Sequence, residues 1–170
     1  MIKLMGAVLV TAGCGAVGLG AARHLDGRVM DLRELSAGLE TLQRELCWRL
    51  APLPEALKEA AGEAHGRAAL FFDRCAQNAS TLDGHSFQQI WQKELERCQL
   101  RLDGEDRSVL EQLGPVLGRY DADSQRQAIE AAAAGLSRRQ AQAEEERGRL
   151  GRVYAVLGIT AGMFLAILLI

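Results

Sequence analysis

Hydrophobic positions fall into two different patterns along this chain. From Leu4 to Ala22 there are 19 consecutive uncharged residues between Lys3 and Arg23, and VYAVLGITAGMFLAILLI, Val153 to Ile170, is a second uncharged run of 18. As a helix rising about 1.5 Å per residue, the first run is roughly 28 Å long, close to the ~30 Å of bilayer hydrocarbon. The pattern predicts an all-α chain with transmembrane helices over 1–22 and 153–170. Between them, 23–152 forms a helical bundle of about five to six helices that ends in a charged stalk. Gly6, Gly13 and Gly20 recur every seven residues and Ala12, Ala16 and Gly20 every four, which gathers small residues on one helix face. Gly158 and Gly162 form G-x-x-x-G, read either as a helix contact face or as glycines that lipid tolerates.

Inside the intervening segment the spacing is helical. Leu32, Leu35, Leu39, Leu42 and Leu46 step by three and four, a single apolar seam. Pro52 and Pro54 interrupt it, and Pro54 is suited to open a short helix over about 55–62. A third helix, about 66–79, turns Ala68, Phe71, Phe72 and Cys75 inward, and a polar loop is expected from Asn78 to Gly84. Ser86-Phe87-Gln88-Gln89 is a capping box that starts a fourth, with Phe87, Ile90, Trp91, Leu95 and Cys98 on the buried side. Asp103-Gly104-Glu105-Asp106 starts a fifth, with Val109, Leu110, Leu113, Val116 and Leu117 inward and Gly118 near its end. From about Ala122 the alanine-rich and then charged sequence either continues unbroken into the C-terminal run or kinks at Gly148–Gly151. On that stalk Glu144 and Glu145 are spaced to pair with Arg147 and Arg149.

The stretch Gly13-Cys14-Gly15-Ala16-Val17-Gly18 also matches G-x-G-x-x-G, the phosphate-gripping turn of dinucleotide-binding folds. That reading requires a strand through Val8–Val10, a helix after the glycines and further βαβ units. The following segment is too short for a crossover helix, no later run reads as a parallel strand, and the second apolar terminus has no place in such a fold. A cleaved signal peptide is the other alternative, with Met1-Ile2-Lys3 as its basic start and Gly20-Ala21-Ala22 as its cleavage site, although the apolar run is longer than a usual signal core.

Charge changes the picture by orienting it. Every charged residue except Lys3 lies in 23–152, as 19 basic against 22 acidic side chains, so neither nucleic acid nor anionic lipid is an expected partner. Arg23, Arg28, Arg33, Arg147, Arg149 and Arg152 all flank the two runs on the domain side, which places the domain in the cytoplasm by the excess of basic residues. Cys14, Cys47, Cys75 and Cys98 form no C-x-x-C, and the last three sit in apolar helical patterns as small hydrophobes. His24, His65 and His85 have no metal-ligand spacing, and neither a nucleophile elbow nor a P-loop occurs. No catalytic, cofactor or metal site is expected, so the chain reads as a non-enzymatic scaffold. A membrane adaptor or sensor unrelated to transport is the alternative.

Several of these stretches together resemble the stage III sporulation protein AB family of endospore-forming bacteria: MIKLMGAVLV, LRELSAGLETLQREL, APLPEAL, the helix bearing Trp91, LEQLGPVLGRYDADSQRQAI and the closing apolar run. A glycine-rich first run, and Trp48 where tyrosine is expected, are the departures. The resemblance implies a membrane platform component of the AA–AH sporulation complex, whose soluble bundle is similar to those of the type II secretion platform protein. It would couple an AA-like, secretion-type ATPase to membrane components in the mother-cell membrane, as a monomer or a homo-oligomer. On that reading Pro52, Leu53, Pro54 and Glu55 are a candidate docking corner, or merely set the angle between two helices. Asp121, Asp123 and Gln125 are helix-start residues or a second partner surface.

Overall fold

The computed structural model describes residues 2–81, 86–117 and 121–169; before 23 and after 149, side chains are described only at 20, 153, 156, 160 and 164. The helices are α1 (Ile2–Gln43), α2 (Leu53–Glu63), α3 (Gly66–Ser80), α4 (Phe87–Arg97), α5 (Gly104–Leu117) and α6 (Ala122–Leu169), with a π-helical turn over Arg44–Trp48 after α1. Among the described residues there is no strand. Val8–Val10 lies within α1, so the glycines that follow do not form a strand-to-helix turn. Glycine lacks the side chain that would crowd such a helix, and a helix satisfies its own backbone groups in apolar surroundings.

The chain divides into two compact units, 30–141 and a second made of 1–29 with 142–170. In the second unit, segments of α1 and α6 are joined by Arg28 to Glu146 at 2.9 Å and Arg147 to Asp26 at 2.5 Å. The stalk residues Glu146 and Arg147 therefore pair across to another helix. The helical conformation of α6 continues through Gly148 and Gly151. Among the described residues no helix is long and apolar enough to cross a membrane. Most of the runs 4–22 and 153–170, including Gly6, Gly13, Gly158 and Gly162, lies outside the described side chains. Gly20 is exposed, and a side chain there would meet open space.

The 30–141 unit is built on the leucine seam. Leu32, Leu35, Leu39 and Leu42 are completely buried. Leu46 is only half-buried, because the π-helical turn adds a residue to the repeat and rotates the seam out of register. α1 closes on α3 at Gly38, where an added Cβ would stand 2.1 Å from a ring carbon of Phe72. Phe71, Phe72 and Phe87 surround Trp91, with Phe71 edge-on at 4.7 Å between centroids. The indole Nε1 of Trp91 donates to the Leu110 carbonyl at 2.8 Å, and Gly114 leaves room for the ring: a Cβ there would lie 2.9 Å from it. α6 approaches α5 equally closely at Gly135, 3.1 Å from Val109 on the same measure. Val109 and Val116, expected in the core, are half-buried at its margin, whereas Leu110, Leu113 and Leu117 are fully inside.

Helix ends follow local chemistry. Ser86 and Gln89 form the anticipated reciprocal box, with Gln89 N donating to Ser86 Oγ at 3.4 Å and Ser86 N donating to Gln89 Oε1 at 3.1 Å. Asp103 and Asp106 repeat that arrangement with two carboxylates, at 2.7 and 3.0 Å. α3 runs past Ala79 because Asn78 and Ser80 return hydrogen bonds to the carbonyls of Arg74 and Ala76, so the polar stretch begins as helix. Residues 82–85 and Gly118 lie outside the described set. α2 begins two residues earlier than expected, with Pro54 in its first turn, where no backbone donor is required.

Candidate docking corner

The link between α1 and α2 concentrates unusual backbone and unusual exposure. At its start Arg49 and Ala51 donate to the carbonyls of Arg44 and Glu45, closing the π-helical turn. Leu50 then takes φ 53°, the left-handed region, and Pro52 is extended and leads into α2. A leucine held left-handed costs about 1–2 kcal/mol, and π-helical turns gather at functional places. Trp48 is 80 % exposed and Leu50 75 %. A tryptophan this open is the residue type most often found to anchor protein interfaces.

The charged frame is fixed by one buried carboxylate. Glu45 is buried and accepts from Arg49 at 3.2 Å, with Arg44 at 3.6 Å, while both guanidiniums remain largely in solvent. Burial pushes the Cys47 thiol up; Arg126 opposes that shift and Glu130 adds to it. Gln43 also reaches Glu130, at 3.1 Å, so the early turns of α6 flank this end of α1. A shallow groove of about 600 Å³ runs from Leu50 and Pro52 to Glu55 and Lys58.

Of the residues singled out from the sequence, Pro52 and Glu55 are exposed on this groove, while Leu53 and Pro54 are half-buried. Asp121, Asp123 and Gln125 are not part of its lining. They serve the start of α6: the Asp121 carboxylate accepts from Asp123 N at 3.3 Å and from the Ser124 hydroxyl. Those bonds, the Ser124 hydroxyl first, hold the Asp121 carboxyl below its usual range. Gln125 donates to the Leu117 carbonyl at 3.0 Å and ties α6 to the end of α5. Trp48 and Leu50 were not read as surface from spacing. The only cue was that Trp48 lies off the leucine seam, four residues before the first proline of a pair.

Elsewhere, buried charge is neutralised in place. Arg139 of α6 meets Asp103 at 3.1 Å, the fully buried Asp106 at 3.0 Å, and Glu105, all at the start of α5. Burial, reinforced by the neighbouring Glu94, raises the Cys75 thiol well above its usual range, which suits a packing residue and not a nucleophile. Cys98 is likewise buried and its thiol raised, chiefly by burial.

Comparison with known proteins agrees with this architecture. A curated relative, stage III sporulation protein AB of Bacillus subtilis (strain 168), is 28 % identical over an alignment 176 positions long that covers 99 % of this chain and 99 % of that one. A solved structure of a stage III sporulation protein AB superposes with a TM-score of 0.65 at 26 % identity, covering 71 % of this chain and 96 % of that one. The family model described as stage III sporulation protein AB matches residues 3–170, and the chain belongs to that family.

Proposed function

We propose that this protein is a non-enzymatic platform of the stage III sporulation complex. The runs 4–22 and 153–170 hold it in the mother-cell membrane with 23–152 in the cytoplasm. The corner from Trp48 to Glu55 docks the AA-type, secretion-like ATPase and so couples it to the membrane components. The uncharged length of the two runs and the arginines beside them support the anchoring. The observation that carries the docking is the presentation of Trp48 and Leu50 to solvent on a backbone held in a costly conformation.

Detergent co-purification of the tagged full chain from sporulating cells, followed by mass spectrometry, tests the reading. The AA-type ATPase is expected with the wild type and depleted at least about tenfold with Trp48→Ala plus Leu50→Ser, the scale of a hot-spot anchor. Equal recovery of the ATPase with both chains, or its absence from the wild type, overturns the docking assignment. Recovery of the chain in the supernatant after carbonate extraction overturns the anchoring.

A further inference from the structure

A second surface, independent of the corner, is distinguished by charge. Where α3 packs beside α4, four arginines line the seam: Arg67 and Arg74 from α3, Arg97 from the last turn of α4, and Arg101 just after it. Beneath them lie two carboxylates. Glu94, 2 % exposed, is 3.3 Å from Arg97 and 3.8 Å from Arg74. Asp31 of α1, 6 % exposed, accepts from the Arg101 backbone N–H at 2.8 Å and from its guanidinium at 3.1 and 3.3 Å. Arg67 donates to the carbonyl of Gln99, whose φ of 48° ends the chain's run out of α4. Four guanidiniums over two buried carboxylates leave two positive charges unmatched, although the cationic heads stay accessible: the Arg74, Arg97 and Arg101 side chains are 37, 57 and 34 % exposed.

The nearest acids on these helices turn elsewhere. Asp73 and Glu96 stand about 100° around their helices from Arg74 and Arg97, and Asp73 lines the groove against α2. The excess is therefore local, on a chain whose net charge is −2. Leu70, 43 % exposed, lies on α3 between Arg67 and Arg74 and adds an apolar contact. Phe71, Phe72 and Trp91 are all buried, so the seam offers no aromatic platform for bases, and one leucine is too little for insertion among lipids.

We propose that the α3–α4 seam is a docking surface for an acidic segment of a partner protein, one that places two carboxylates against Arg67 and Arg74 and an apolar side chain against Leu70, which lies between them on the same face of α3. Guanidinium favours this partner because its planar fork matches a carboxylate in two parallel hydrogen bonds. Arg97, which donates to Glu94 at 3.3 Å, and Arg101, which donates to Asp31, are occupied and hold the surface in shape.

The test uses the full chain in detergent and a fluorescent peptide of alternating glutamate and alanine with a central leucine, read by anisotropy. The glutamine counterpart, oligothymidylate and short-chain phosphatidylglycerol are the comparison ligands. Binding is expected for the glutamate peptide, weakened about tenfold by Arg67→Gln with Arg74→Gln and lost with rising salt, while the melting temperature stays near that of the wild type because Arg97 still holds Glu94. Undiminished affinity in the double variant overturns the assignment, as does equal affinity for the glutamine peptide. Tighter binding of oligothymidylate or phosphatidylglycerol, lost in the same variant, replaces the acidic segment with nucleic acid or lipid. Trp48→Ala is expected to leave peptide binding unchanged, so failure of this surface and failure of the docking corner are separable.

Discussion

The protein has two tryptophans, and they occupy opposite environments. Trp91 is completely buried, ringed by three phenylalanines and hydrogen-bonded to the Leu110 carbonyl, whereas Trp48 stands 80 % in solvent beside a left-handed leucine. The first contributes its apolar area to folding. The second leaves that contribution unused in the isolated chain. The same contrast runs through the charges: Arg139 is almost enclosed by its three carboxylates, while Arg44 and Arg49 share one buried carboxylate and face water.

The largest effect is expected where the buried tryptophan is removed. Trp91→Ala should cost about 3–5 kcal/mol, seen as a lowered midpoint in chemical denaturation, since it opens a cavity and orphans a carbonyl; a loss below about 1 kcal/mol would break the comparison. Arg139→Ala leaves Asp106 buried without its cation and should cost about 3 kcal/mol in the same measurement. Arg49→Ala, at the exposed end of the contrast, should cost under about 1 kcal/mol. Leu50→Gly runs the other way. It releases the left-handed strain at a site where little apolar area is buried and should raise stability by about 0.5–1 kcal/mol. Destabilisation by Leu50→Gly would show that the side chain packs in the isolated chain. The smallest effect is chemical. With the native chain at mildly alkaline pH, a thiol reagent should modify Cys47 well before Cys75, because the raised Cys75 thiol supplies little thiolate and is buried, and peptide mass mapping reads the order.

Most of the bundle was legible because burial and helical period coincide there. The leucines from Leu32 to Leu42, the inward faces of α3 and α4 and the Ser86 box all follow from spacing and local hydrogen bonding. The docking corner was only half legible. Its prolines announce a break, but no residue type encodes the wider π-helical turn that displaces Leu46. The left-handed Leu50 is equally opaque, since glycine or asparagine is the ordinary signal for that conformation. The arginine seam was invisible for a different reason: its members lie at 67, 74, 97 and 101, and their partner Asp31 is 70 residues from Arg101. Only the folded chain brings that excess of charge to one place.

The meeting of Gly38 with Phe72 carries a consequence for how such a chain can change. An added methyl at 38 would run into the ring, so neither position is free to drift alone: alanine at 38 becomes acceptable only when residue 72 has surrendered its aromatic edge. Across diverging descendants the two sites should exchange size for size, and a Gly38→Ala chain that folds poorly should recover when Phe72→Leu is added.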